Sequence, residues 1–285
     1  MAVGEVIWTY FNGAWHQGDL PVMNAADHGT WLGSLVFDGA RSFEGVVPDL
    51  EPHCERANNS AYALGLKPTM TTEEMMALTM EGLTKFDDDA AVYIRPMYWS
   101  KEGGPGVVVP DPDSTVFCLC LEQIPMAAAD AAQTLGRTKF IRPVITMAPV
   151  NAKAACLYPN NGRMIRDAQS RGFNNAIVAD ALGNVAESAT ANIFMVKDGV
   201  VKTPIPNGTF LNGITRQRVI KLLREADYIV EECTLSFDDF DGADEVFLSG
   251  NISKITPISK IEDREFAIGP VTKKARELYW KWAKK

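Results

Sequence analysis

The order of its apolar runs constrains this chain more than any other feature. Strand-like runs open it, helical patterns follow, and from there strands and helices mix without regular alternation. A doubly wound parallel sheet needs that alternation, so the pattern points to an α+β protein. A length of 285 residues suits about two domains. The natural break is MAAADAAQ, residues 126–133, rich in small residues and lacking both strand character and an apolar helical stripe. The expected division is a smaller N-terminal α/β domain over 1–125, a linker over 126–133, and a larger C-terminal domain over 134–285.

Local signals fill in the elements. Aromatic residues flank Asn12-Gly13, a strong hairpin signal, and a short apolar run follows at 35–37. Pro52 suits the first turn of a helix over 51–64, which Gly65 and Pro68 end. Thr71-x-x-Glu74 forms a capping box ahead of a second helix. AAVYIRPMYWS and STVFCLCLEQI read as strands separated by KEGGPGVVVPDPD, expected to be a mobile surface loop. Beyond the linker a helix is predicted over 160–171. The strands AIVAD, NIFMV and VVKTP follow, joined by turns at Leu182-Gly183-Asn184 and Asp198-Gly199. ITRQRVIKLLREA has the 3.6-residue period of a helix; strands near IVEEC and EVFLSG and a helix over about 271–282 complete the chain.

Charge and cysteine usage narrow the function. Lys and Arg total 28 against 36 Asp and Glu, a net charge of −8, which opposes an extended grip on nucleic acid or anionic lipid. Five scattered cysteines (Cys54, Cys118, Cys120, Cys156, Cys233) and an opening without a basic, then apolar leader predict a cytoplasmic protein with free thiols. Three histidines and a Cys-x-Cys inside the apolar run VFCLCL offer no metal spacing, so no metal is expected. No apolar run is long enough for a membrane span, and the Asn58 sequon reads as chance.

Four segments could hold chemistry. In APVNAKAACLYPNNGRM, Lys153 stands among small apolar residues; a lysine amine is nucleophilic only when unprotonated, and apolar surroundings favour that form. A surface lysine near a strand end is the plainer alternative. GTFLNGITRQRV sets a glycine turn and Thr215 at a helix start, where free N–H groups favour an anion; a routine threonine N-cap is the plainer reading and the one the segment alone favours. The turn SGNIS over 249–253 offers a second such cup or a plain Asx turn. Glu187, at a hairpin before NIF, is by default a solvated carboxylate.

Taken together, HGTWLGSLVFDGAR, HCER, VYIRP, NAKAACLY, VAESATANIF, LNGITR, EVFLSG and PVTK occur in an order that resembles the class IV (fold type IV) pyridoxal-phosphate aminotransferases, most closely the branched-chain amino acid enzymes. The resemblance covers nearly the whole chain. It implies two α+β domains of the D-amino acid aminotransferase type, with the cofactor in the interdomain cleft and the Schiff-base lysine in the C-terminal domain. Lys153 matches that lysine, Glu187 the carboxylate that keeps the ring nitrogen protonated, and Tyr158 the phenol beside the ring hydroxyl. Arg56, Ile214, Thr215 and Asn251 match the phosphate site, with Leu211 beside it. Tyr93 and Arg95, two apart on a strand and so on one face, match the pair near substrate carboxylates. Phe37, Gly39 and Ile252 match the substrate pocket.

Two departures stand out: Leu32 replaces a tyrosine expected near the second-substrate carboxylate, and Asn251 replaces a threonine at the phosphate. The resemblance implies transfer of an amino group from an amino acid, L-branched-chain in the first instance, to a 2-oxo acid such as 2-oxoglutarate by a homodimer or higher homo-oligomer. D-amino acid or (R)-amine transaminases and aminodeoxychorismate lyases share the fold and remain alternatives. From other classes come a non-catalytic phosphate- or nucleotide-binding protein and a cofactor-free Schiff-base aldolase.

Overall fold

Asn12 and Gly13 take left-handed backbone (φ 51° and 81°), as a hairpin turn matched to strand twist requires. They join β1 (Ile7–Phe11) to β2 (Ala14–Gln17), the opening of a computed structural model that describes residues 4–285. The chain divides into two units, the first comprising the described residues up to Met126 together with Asn151–Cys156. Its further elements are α1 (His28–Trp31), β3 (Leu35–Phe37), β4 (Ala40–Ser42), α2 (Leu50–Ala63), α3 (Thr72–Leu83), β5 (Val92–Ser100) and β6 (Thr115–Gln123). The sheet is antiparallel in the order β2-β1-β6-β5-β3, with β4 also paired to β5. β5 and β6 form its spine, in register from Val92↔Gln123 to Ser100↔Thr115. Helix α2 packs on β3, β4 and β5 through Cys54, Ala57 and Ala61, all buried, and Thr71 and Glu74 close the expected capping box of α3.

The segment between β5 and β6, expected to be mobile, is tied down at several points. His28 Nε2 donates to Val107 O at 2.9 Å, and the Ser100 and Ser114 hydroxyls bond across its base. Most of its residues are exposed, the valine side chains at its tip included.

The second unit comprises Ala127–Val150 and Leu157–Lys285. It contains β7 (Gln133–Arg137), α4 (Tyr158–Gln169), β8 (Asn175–Ala179), β9 (Val185–Ser188), β10 (Asn192–Lys197) and β11 (Val200–Pro204). After these come α5 (Ile214–Glu225), β12 (Val230–Cys233), α6 (Phe237–Asp241), β13 (Glu245–Gly250), β14 (Lys254–Ile261), β15 (Arg264–Glu265) and α7 (Pro270–Ala283). Its mixed sheet runs β12-β11-β10-β13-β14-β7-β8-β9, with β15 on β14. β8 is buried on both faces: Ile177 joins a core with Leu135, Ile193 and Val246, whereas Ala176 and Val178 pack against Met164 and Ala168 of α4.

Two findings differ from the expected division. Residues 127–133 belong to the second unit, with Gln133 opening β7. Residues 151–156, expected in the C-terminal domain, pack in the first unit, because their peptide groups bond there: Ala154 bridges Val36, Phe37 N donates to Lys153 O, and Lys153 N donates to Ser60 Oγ. Buried Ala152 and Ala154 let the backbone come that close.

Candidate active site

In the first unit, the sequence-predicted residues Phe37, Gly39, Arg56, Tyr93, Arg95 and Lys153 gather around β3, β4 and β5. Lys153 has its peptide N–H on Ser60 Oγ (3.0 Å) and its carbonyl on Phe37 N (3.1 Å), and its Nζ lies 4.9 Å from the Phe37 ring centroid. The amine is thus aimed by backbone bonds on both sides, with a π face beside it.

Next to Phe37, Asp38 is fully buried and collects the polar groups of α2. Arg56 donates to it twice, Nε to Oδ2 at 2.7 Å and Nη2 to Oδ1 at 2.9 Å, and His53 Nδ1 donates at 2.7 Å. Burial disfavours the Asp38 charge, but the Arg56 guanidinium and the His53 bond outweigh it and hold the carboxyl well below the usual range. A folded value below the unfolded one, about 3.9, stabilises the fold above that pH and stops doing so as pH falls through the folded value. Asp38→Asn is expected to cost about 1–3 kcal/mol near neutrality, since it removes the buried charge that the partly exposed Arg56 guanidinium and the buried His53 bond to. Thermal melts of wild type and variant from pH 7 down to 3 check this: the gap should narrow on the acid side.

Tyr93 and Arg95 share a face of β5 as expected, with the Arg95 guanidinium 5.0 Å from the Tyr93 ring centroid. Arg95 is not a solvent-exposed strand arginine; its Nη1 lies 2.6 Å from Oε1 of buried Glu122. Gly39 has a steric reason, because a Cβ there would meet Tyr93 Oη at 2.5 Å. Beside it, register partner of Tyr93, Arg41 was not foreseen. It is wholly buried, Nη2 donates to Ile124 O at 2.6 Å, and Nε and Nη1 find no partner among the described residues. Burial lowers its pKa to about 10, so it keeps its charge.

The second unit holds Tyr158, Glu187, Leu211, Ile214, Thr215, Asn251 and Ile252. Glu187, expected to be solvated, is buried in β9, its Oε1 2.8 Å from Arg142 Nη2 and its Oε2 accepting from Asn192 Nδ2 at 3.1 Å. Arg142 is fixed in turn by Asn161 Oδ1 at 2.6 Å and by the carbonyls of Ser188 and Ala189. Sequence reasoning missed Arg142, Asn161 and Asn192 because these partners come from distant segments; a lone arginine in the apolar run FIRPVI is the one available signal.

Asn192 also reaches Leu211 O (3.0 Å), and its Oδ1 presses so close to Gly213 that a Cβ there would lie 2.1 Å away. Gly213 is the N-cap of α5 and offers no side chain, so the helix's first amides are not capped from within. Thr215 is the second helical residue and buried, which removes the reading of it as an N-cap. Asn192 pairs in register with Ser249 on β13, bringing the turn at Asn251 to the same end of the sheet as these amides. Asn251 Nδ2 is a buried donor with no partner among the described residues. Tyr158 opens α4 half-exposed, and Ile252 is exposed.

Each unit by itself holds groups suited to part of pyridoxal phosphate: in the second, uncapped amides and an orphaned amide N–H suit an anion and a buried anchored carboxylate suits a protonated ring nitrogen; in the first, an aimed lysine suits an aldehyde.

Comparison with known proteins agrees. The class IV aminotransferase family profile matches residues 35–261. The branched-chain-amino-acid aminotransferase of Escherichia coli K12 is 30% identical over 296 aligned positions, covering 98% of this chain and 94% of its own. An aminotransferase from Brucella abortus, crystallised with PLP, superposes with a TM-score of 0.97 at 58% identity, over 99% of this chain and 100% of that one. The branched-chain aminotransferase of Thermoproteus uzoniensis, crystallised with norvaline, gives a TM-score of 0.88 at 28% identity, over 97% and 94%. Matched along nearly its full length in sequence and in fold, this chain belongs to the class IV aminotransferases.

Proposed function

We propose that the chain is a pyridoxal-phosphate-dependent transaminase that moves an amino group from an L-branched-chain amino acid to a 2-oxo acid such as 2-oxoglutarate in a ping-pong cycle. The setting of Lys153 is the observation that supports this most: its backbone is pinned on both sides and its amine lies against Phe37. When bound, pyridoxal phosphate supplies an electron-withdrawing ring that accepts the electron pair freed at a substrate Cα. Lys153 Nζ anchors the group and moves the proton at Cα; Glu187 keeps the proton on the ring nitrogen; Tyr158 offers its phenol to the ring hydroxyl. Arg56, the amides of Ile214 and Thr215, and Asn251 hold the phosphate, with Leu211 positioned through Asn192.

On the substrate side Phe37, Gly39 and Ile252 form the apolar pocket, and Tyr93 with Arg95 faces the carboxylate. Absorbance of the cofactor during single half-reactions tests the substrate class. L-leucine should convert it to the amine form; conversion by D-alanine or (R)-1-phenylethylamine with no response to L-leucine would overturn the assignment.

Arg95 has its own test. Arg95→Ala alone would strand the buried Glu122, so the informative variant is Arg95→Gln with Glu122→Gln. KM for 2-oxoglutarate should rise roughly tenfold or more with loss of a charge-assisted contact, while the L-leucine half-reaction changes little. Equal effects on both substrates would remove Arg95 from acceptor recognition.

We further propose a cytoplasmic homodimer or higher homo-oligomer. Five free cysteines suit a reducing compartment, and the exposed Trp31, Leu32, Val108 and Val109 offer apolar surface for a second copy.

A further inference from the structure

The hairpin joining β13 to β14 contains a lysine in an unfavourable place. Gly250 pairs with Lys254 across three loop residues, and Lys254 closes the loop at φ 60°, where glycine is the unstrained choice. Its side chain is nonetheless 1% exposed, its Nζ donating to Asn251 Oδ1 at 2.6 Å with the Tyr279 ring centroid 5.8 Å away. Backbone strain and burial of an ammonium accompany a close contact to a carboxamide oxygen.

The chemistry of that contact sets the direction of the amide. An ammonium offers only donors, so the Asn251 oxygen must face Lys254 and Nδ2 must face away. That Nδ2 is the buried donor left without a partner among the described residues. A threonine hydroxyl can turn to donate to an anion unaided; an asparagine needs its oxygen held elsewhere.

We propose that Lys254 is a positioning residue of the phosphate site: it holds the Asn251 carboxamide so that Nδ2 donates to the phosphate, and its charge adds to the field at that turn. This rests on the phosphate-site reading given above and names a residue beyond it.

Equilibrium titration of the full-length, cofactor-stripped protein with pyridoxal phosphate, and with inorganic phosphate as competitor, tests it. K254M should bind both probes roughly tenfold more weakly, and K254R should recover to within about 2-fold of wild type. In an N251A background, K254M should add little, because the lysine acts largely through that amide. If K254M does not accumulate as folded protein, K254Q takes its place in the same cycle. Wild-type affinity in K254M, or an undiminished loss in the N251A background, overturns the proposal while leaving the phosphate site intact. A wild-type protein that binds neither probe overturns the parent reading and this one with it.

Discussion

Replacing Lys153 with alanine is expected to abolish transamination, lowering the rate by at least about 10⁴-fold, because one amine both anchors the cofactor and moves the substrate proton. The fold should survive. The two hydrogen bonds that place the segment, to Ser60 Oγ and from Phe37 N, come from the peptide group and not from the side chain. The losses include the alkyl stem and a cation–π contact with Phe37, the latter worth about 0.5–1 kcal/mol. Melting temperature and stopped-flow rates on the same preparation check both halves of this expectation. A folded variant with wild-type turnover would mean that another group does the chemistry.

Glu187→Gln is expected to have the second largest effect, a fall in rate on the order of 100- to 1000-fold. The carboxamide keeps the shape and, through its single oxygen, the Arg142 contact; its NH2 cannot accept from Asn192 Nδ2, and it cannot hold a proton on the ring nitrogen by charge, so the electron sink weakens. Glutamine is the informative choice. Alanine would leave Arg142, itself buried, without its carboxylate and cost about 3–5 kcal/mol of stability, which would mask the chemical effect. Single-turnover kinetics with L-leucine should show the loss in the proton-transfer step, with the affinity for pyridoxal phosphate changed far less. A Glu187→Gln protein at full rate would place the carboxylate in a structural role with Arg142 alone.

Elements built from local rules were the legible ones. Asn12-Gly13 dictates its turn through backbone conformation, Thr71 and Glu74 cap α3 within one turn of each other, and the 3.6-residue stripe of α5 needs no distant partner. β14 escaped notice because Pro257 interrupts it and its strand state depends on β13 and β7 on either side. The same divide holds within the site. Lys153, Glu187 and the start of α5 stood out through ordered motifs, but Asp38, Arg41, Arg142 and Asn192 acquire meaning only when distant segments meet.

Local sequence also misjudged environments. Glu187 looked solvated beside a turn, yet β9 buries it. A carboxylate's surroundings are set by what packs over it, which neighbours in sequence do not report.

Borohydride reduction of the protein after reconstitution with pyridoxal phosphate, followed by peptide mass mapping, tests the central assignment most directly. The account predicts a phosphopyridoxyl group on the peptide containing Lys153 and on no other. A label on a different lysine, such as Lys254, or no label from a protein that still transaminates, would contradict it.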